Sequence, residues 1–412
     1  MKTAFLTTAS ILFIGLAIAW GRTVVATGTG SNPILPDQGP EIEVVVCSAT
    51  SARHSSLRNS ELVANIVNGL SPKTHVLILV NDRQGFEAPP NHHRVTFIEV
   101  PSDNSISIWP QDPFVVMQSQ DQTRLIVPNS FDREDDQIMP EVLGETLDIE
   151  VIRSELNFEG GNLVSDSDAV FTGMNTIQTN VARLQETPDQ IRQRFENTFG
   201  RPLIVVGENR PSVTHLDLIV TPLGNKQVAI ADSRQGAELA EILMQTSAAE
   251  ISHFEKQCES LFFGHEQIQQ LLDLEGNVIP RPELVHKTAQ TIQASRQLAD
   301  ELDALAQDFV NLGYEVFRVP ALIPDLEPQL SASGQEKPGY PFLTYNNVLL
   351  EQRNGQAIVY LPQYGLPSLD AAAAKCWAEL GYEVKPIEGF ATSSMYGGSL
   401  RCCTKVLSRR TQ

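Results

Sequence analysis

Leu312-Gly-Tyr-Glu-Val316 and Leu380-Gly-Tyr-Glu-Val384 are one string of five residues used twice. Each stands after a stretch of helical character and before residues of strand character, so each reads as a helix passing through a glycine turn into a strand. A step used twice suggests a repeated supersecondary unit within one α/β domain. In this reading the strand is followed by a second, amide-rich hairpin strand such as Thr344-Tyr-Asn-Asn-Val-Leu-Leu-Glu351. Outward from the repeat, short apolar runs of strand length occur at 42–47, 75–80, 95–100, 125–127, 147–152, 169–172, 203–206, 216–220 and 228–231. Helices fall between them. Thr187-Pro188-Asp189-Gln190 opens one with a capping residue, a proline at the first helical position and a glutamine where a capping box needs it. Others are expected over about 282–310 and over 369–380, the second capped by Ser368 and ended by Gly381.

The 412 residues are 42% hydrophobic and 19% charged, enough to bury a substantial core and unlike a disordered or fibrous chain. The N-terminus departs from that average. Met1-Lys2 precedes an almost uncharged apolar run from Ala4 to Trp20, and small residues at Ala17 and Ala19, or at Val24 and Ala26, suit cleavage. A signal peptide over residues 1–26 is therefore expected, with an exported body, and an uncleaved membrane anchor is the alternative. The run falls short of the roughly 20 residues a spanning helix needs. Thr27 to Pro40, rich in Gly, Pro and Ser, reads as a flexible lead, and residues 41–412 as a single folded domain. Loss of residues 1–26 would leave 28 basic against 50 acidic side chains. Such a charge disfavours nucleic acid as a partner and favours a cationic ligand.

The five cysteines, Cys47, Cys258, Cys376, Cys402 and Cys403, show neither CxxC pairs nor a zinc spacing, so no disulfide framework or zinc site is implied. Cys47 and Cys376 lie in apolar strand and helix, as structural cysteines do, whereas Cys402-Cys403 follows a glycine pair. Asp132-Arg-Glu-Asp-Asp136 and Asp166-Ser-Asp168 are acidic clusters without EF-hand spacing, so calcium is a secondary expectation and no metal ligand is assigned. His92-His93 reads as solvated loop.

Four segments set reactive side chains among apolar residues or glycines. In Ile108-Trp-Pro-Gln-Asp-Pro-Phe114, Asp112 stands between prolines after Trp109. In Asn157-Phe-Glu-Gly-Gly-Asn-Leu163, Glu159 precedes Gly160, Gly161 and Asn162, whose glycines let the backbone approach a ligand closely. In Thr214-His-Leu-Asp-Leu-Ile-Val220, His215 and Asp217 alternate with apolar residues and are expected on one face of a strand. Tyr396-Gly-Gly-Ser-Leu-Arg-Cys-Cys-Thr404 carries the thiols. As a set they suit a guanidinium. That planar cation offers paired N–H donors which two carboxylates can grip, a thiolate can add to its carbon, and a histidine can protonate the departing nitrogen.

In this order the segments resemble the WxxD, EGG, HxD and C-terminal GGxxxC elements of the guanidino-group-modifying, or pentein, superfamily, which includes arginine, agmatine and protein-arginine deiminases and amidinotransferases. The resemblance runs from Trp109 to Thr404. It implies a five-bladed α/β propeller of ββαβ units as the catalytic domain, Cys402 as nucleophile, His215 as general acid and base, Asp112 and Asp217 as holders of guanidinium nitrogens, and Glu159 as a contact to the guanidinium or to His215. Trp109, Gly160, Gly161 and Asn162 would line the substrate. The chain departs from the agmatine deiminase pattern at Gln111 and at Pro113-Phe114, and from many members of the superfamily at Thr214 and Arg401. Trp-x-Gln-Asp and the Thr404 spacing look more like protein-arginine deiminases, whereas Phe158-Glu-Gly-Gly-Asn162 looks more like the small-molecule deiminases. The implied activity is deimination of a guanidino substrate, with amidino transfer to an amine or a catalytically idle binding module as alternatives.

Overall fold

The computed structural model describes residues 33–50, 59–81, 94–119, 122–207, 215–261, 271–272, 278–279, 284, 286–325 and 339–410. The expected signal peptide, the His92-His93 pair and Thr214 lie outside them. Among the described residues no helix is long and apolar enough to cross a membrane.

Both copies of the repeated string do the same physical job. Gly313 and Gly381 take φ of +81° and +87°, where a side chain would be strained, and end the helices Thr288–Asn311 and Pro367–Glu379. The next residue, Tyr314 or Tyr382, donates its N–H back to the carbonyl of Phe309 or Trp377 at 3.0 and 3.2 Å. Its ring then packs edge-on against that same residue, with centroids 5.6 and 5.2 Å apart. The strands Glu315–Leu322 and Glu383–Ile387 follow directly.

Each of those strands lies parallel to the second strand of a preceding hairpin, and the pattern recurs. Val115–Gln118 pairs antiparallel with Thr123–Val127, the helix Ile138–Leu147 crosses over, and Glu150–Arg153 returns parallel. Val164–Ser165 and Val170–Gly173 are followed by the helices Met174–Leu184 and Pro188–Phe199 and the parallel Leu203–Val206. Val220–Gly224 and Gln227–Asp232 lead, through helices that include Ser233–Thr246 and Thr288–Asn311, to Glu315–Leu322. Leu349–Arg353 and Gln356–Pro362 lead through Pro367–Glu379 to Glu383–Ile387. In the remaining large sheet the antiparallel partner of Ile42–Ala49 is the C-terminal strand Lys405–Arg409, while His75–Val80, after the helix Ser60–Gly69, runs parallel and Val95–Glu99 extends it. The protein is thus a mixed α/β structure of several small sheets.

Several expectations need correction. The stretch 216–220 is not one strand: Leu216–Leu218 is a 3₁₀ turn and the strand begins at Val220. The strand expected at 147–152 starts at Glu150, because the preceding helix persists to Leu147 and Asp148 turns the chain at φ 55°. Ser368 does not cap its helix, whose N-cap is Leu366; its N–H and hydroxyl bind the Glu250 carboxylate instead. The amide-rich stretch is divided, with Leu343–Thr344 on the edge of Glu315–Leu322, Tyr345 to Asn347 in a bend, and Leu349–Arg353 opening the next sheet. The capping box at Thr187 and Gln190 forms as read.

The largest revision concerns residues 33–40, expected as flexible lead. They are laid across the structure as a strap: Ile34 bridges to Met117, Leu35 donates to Val116 O, Asp37 exchanges with Ser165, and Pro40 bridges to Gln352. Arg409 donates to the carbonyls of Pro36, Asp37 and Pro40. A segment poor in apolar periodicity is held by backbone hydrogen bonds, which composition does not reveal.

The core residue Trp377 links fold to site. It is fully buried and its Nε1–H donates to Tyr345 O at 2.9 Å. Tyr345 donates to Asp370 Oδ1 and stacks edge-on with Tyr364, whose hydroxyl reaches Thr344 O and Ser399 Oγ. Trp377→Ala is expected to cost about 3–5 kcal/mol by cavity formation. Trp377→Phe, which loses chiefly the N–H, is expected to cost about 1–3 kcal/mol. Urea unfolding of the two variants checks the order, and equal losses would contradict it.

Candidate active site

The Trp109 to Phe114 loop is closed by Asp112 N donating to Trp109 O, and it is stapled from below by Lys405, whose Nζ donates to the carbonyls of Gln111 and Phe114. The Glu159 to Asn162 turn is fastened to this loop: Gly160 N donates to Asp112 O at 2.9 Å, and Gly161 N to Asp112 Oδ1 at 3.2 Å. Gly161 is required by crowding, since a Cβ there would lie 2.6 Å from His215 Nδ1 and 2.8 Å from Asp112 Oδ1.

His215 and Asp217 enter the same place by a different route from the expected shared strand face. His215 is extended at the head of the 3₁₀ turn and Asp217 lies within it, so the turn swings both side chains inward. Cys402 and Cys403 likewise sit on a tight turn and not an extended segment, with Cys403 N bonded to Ser399 O at 2.9 Å and Thr404 N to Arg401 O at 3.1 Å. The turn still sends the two thiols to different neighbours. Cys402 packs in a cluster with Leu216, Leu218 and Phe342, and Cys403 in another with Cys47 and Phe390.

The nucleophile candidate is therefore surrounded. Cys402 Sγ lies 3.6 Å from Asp217 Oδ2 and receives the Asn347 amide at 3.2 Å, and His215 lies close enough to act on its charge. His215 Nε2 is 2.7 Å from Glu159 Oε2, and its Nδ1 is 3.9 Å from Asp112 Oδ1. Two arginines complete the cluster: Arg133 Nη2 reaches Asp112 Oδ2 at 2.7 Å, and Arg401 Nη1 reaches Asp217 Oδ2 at 2.9 Å. Among the described residues Asp217 Oδ1 is buried with no hydrogen-bond donor.

The charges follow from this crowding. Burial pushes the Cys402 thiol up to about 12, with the Asp217 charge adding and His215 opposing, so in this arrangement it is protonated at neutral pH. Burial pulls His215 down, but the Asp112 charge, hydrogen bonds with Cys402 and Glu159, and the Asp217 charge outweigh it and hold the imidazole well above its ordinary value. Burial pushes Glu159 up, yet its hydrogen bond and charge interaction with His215 and the charge of Arg133 bring it below the usual carboxylate range. Asp217 is raised by burial despite Arg401 and His215.

The structure thus brings Asp112, Glu159, His215, Asp217 and Cys402 into one cluster. Trp109 is close by, its ring against Gly398 at the start of the thiol turn. Asn162 holds a buried Oδ1 without a donor among the described residues. Gly160, expected to face a ligand, instead spends its N–H on Asp112 and its carbonyl on Gln111 and Arg401. Asp136 and Asp166, from the two acidic clusters, spend their oxygens on protein donors: Ser107 and Arg133 in one case, Asp168, Ala169 and Tyr314 in the other. Asn347 and Asp37 were not singled out from the sequence. Asn347 grips the Cys402 backbone N–H through Oδ1 at 3.1 Å and Asp217 O through Nδ2 at 3.2 Å. Its signal was two consecutive asparagines between apolar residues. Asn347→Ala strands both partners without solvent and is expected to cost about 1–3 kcal/mol; an unchanged urea midpoint would contradict the role.

No protein-family model matches the chain, and no curated protein is similar to it by sequence. Solved structures are. An agmatine deiminase of C. jejuni superposes with a TM-score of 0.57 at 14% identity, covering 92% of this chain and 97% of its own. An agmatine deiminase of Enterococcus faecalis superposes with a TM-score of 0.58 at 13% identity, covering 95% of this chain and all of its own. Identity this low speaks to architecture, and on that footing the chain has the pentein fold of the guanidino-group-modifying enzymes.

Proposed function

We propose that the protein is a deiminase that converts a guanidino group to a ureido group with release of ammonia, and that its five repeating sheets are the blades of a propeller with the site at their meeting point. The observation that carries the reading is the single cluster in which the Cys402 thiol, the His215 to Glu159 pair and the carboxylates of Asp112 and Asp217 all converge. A binding module has no need to hold a thiol and an imidazole together in this way.

The geometry supports the following steps. The unpartnered Asp217 Oδ1 accepts an N–H of the arriving guanidinium, and Asp112 Oδ1 accepts another in place of its long contact to His215. Burial first, and the Asp217 charge second, hold the thiol protonated; the added positive charge offsets the second, so substrate binding itself lowers the cost of the thiolate. The thiol proton passes to solvent, and Cys402 Sγ adds as the thiolate to the guanidinium carbon. His215, kept protonated and oriented by Glu159, donates a proton to the departing nitrogen and ammonia leaves, giving a thiouronium. A water molecule, deprotonated by the now neutral His215, adds to the same carbon; collapse returns the thiol and leaves the urea. The export expected from residues 1–26 would place this reaction outside the cytoplasm.

Incubation with free arginine, agmatine and an arginine-containing peptide, with ureido product and ammonia assayed separately, tests the reaction. Equal amounts of both products are expected from one of the three; a ureido-free reaction that transfers the amidino group to an added amine would replace the reading. Cys402→Ser is expected to abolish turnover and His215→Ala to lower it by about 10²-fold or more. Cys403→Ala, on the packed side, is expected to keep most activity. Full activity in Cys402→Ser would remove the assignment.

A further inference from the structure

The Arg401 guanidinium lies directly between two carboxylates. Its Nε donates to Asp37 Oδ1 at 2.8 Å and its Nη1 to Asp217 Oδ2 at 2.9 Å, while Nη2 is taken by Leu163 O at 3.0 Å. Asp37 belongs to the strap and is itself fixed, because Oδ2 accepts Ser165 N at 2.7 Å and its carbonyl accepts Arg409 Nη2 at 2.7 Å. One buried cation is therefore shared by two anions, and the second anion touches the thiol.

We propose that Asp37 is a positioning residue of the active site: by holding Arg401 from behind, it leaves Asp217 only partly neutralised and so tunes both the reactivity of Cys402 and the capture of a cationic ligand. The cation-capture half of this statement rests on the function proposed above; the thiol half does not. The charged groups around Arg401 are Asp37, Asp217, Lys405 and, further out, Arg409, Asp112 and His215. Of these, Asp37 and Asp217 alone hydrogen-bond the Arg401 side chain. Removing the Asp37 charge leaves the whole of the Arg401 charge to Asp217, which favours the thiolate. Removing the Arg401 charge does the reverse.

The test is the pH dependence of Cys402 labelling by iodoacetamide, read by mass spectrometry of the C-terminal peptide, in the wild type, Asp37→Asn, Asp37→Glu and Arg401→Gln. Asp37→Asn is expected to shift the midpoint down by about one pH unit, which is roughly tenfold faster labelling at a fixed lower pH. Arg401→Gln is expected to shift it up, and Asp37→Glu to stay near the wild type. Cys403 stays unlabelled in a folded variant and separates these effects from unfolding. Shifts of the same sign in Asp37→Asn and Arg401→Gln would overturn the proposal, as would a folded Asp37→Asn with the wild-type profile. Should neither of those variants fold, Asp37→Glu decides, since a profile displaced by a full unit despite the retained charge would also overturn it. Failure of every guanidino substrate to turn over would remove the proposed function and leave this labelling result intact.

Discussion

A buried guanidinium is costly unless its donors are matched, and Arg401 is buried. The match is made by Asp37, Asp217 and the carbonyls of Gly160 and Leu163, which belong to the strap, the 3₁₀ turn and the glycine turn. One side chain thus ties together segments far apart in sequence, and the residue next to it is Cys402. Misplacing any of them would leave an unsatisfied charge in the interior, so the site's geometry and the fold's stability are the same constraint seen from two sides.

The charges around Cys402 balance one another within the protein. The thiol is raised, the imidazole is already charged, and Asp112 and Asp217 each rest on an arginine of the protein. In the proposed reaction a ligand's own charge shifts this balance, which favours cations. The two resting arginines differ in kind. Arg133 is partly exposed and stacks over Phe131, at the open side, whereas Arg401 is enclosed.

Much of this was legible in the sequence because it rests on local rules. The Leu-Gly-Tyr-Glu-Val repeat fixed two helix ends and the strands after them, and the capping box at Thr187 was spelled out in four residues. The convergence of Asp112, Glu159, His215, Asp217 and Cys402 followed from chemistry that needs them together. What failed was conformation at the site: the alternation around His215 looked like a strand, yet the chain takes a 3₁₀ turn there. Periodicity reports which side chains are buried and not which backbone buries them. Asp37 was unreadable for a different reason. Its partner stands 364 residues away, and nothing in a Gly/Pro/Ser-rich stretch marks one carboxylate as belonging to the core.

The pairing of Ile42–Ala49 with Lys405–Arg409 has a consequence for how such a chain is made. Closing a contact across more than 360 residues, as between Pro36 and Arg409, adds little free energy because loop entropy grows only logarithmically, but it sets an order of events. A chain emerging from its N-terminal end presents Asp112, Glu159 and His215 long before it presents Cys402. Until the final strand zips against Ile42–Ala49, these three residues stand without Cys402 beside them. In the proposed function the site is therefore complete only when the two distant segments meet.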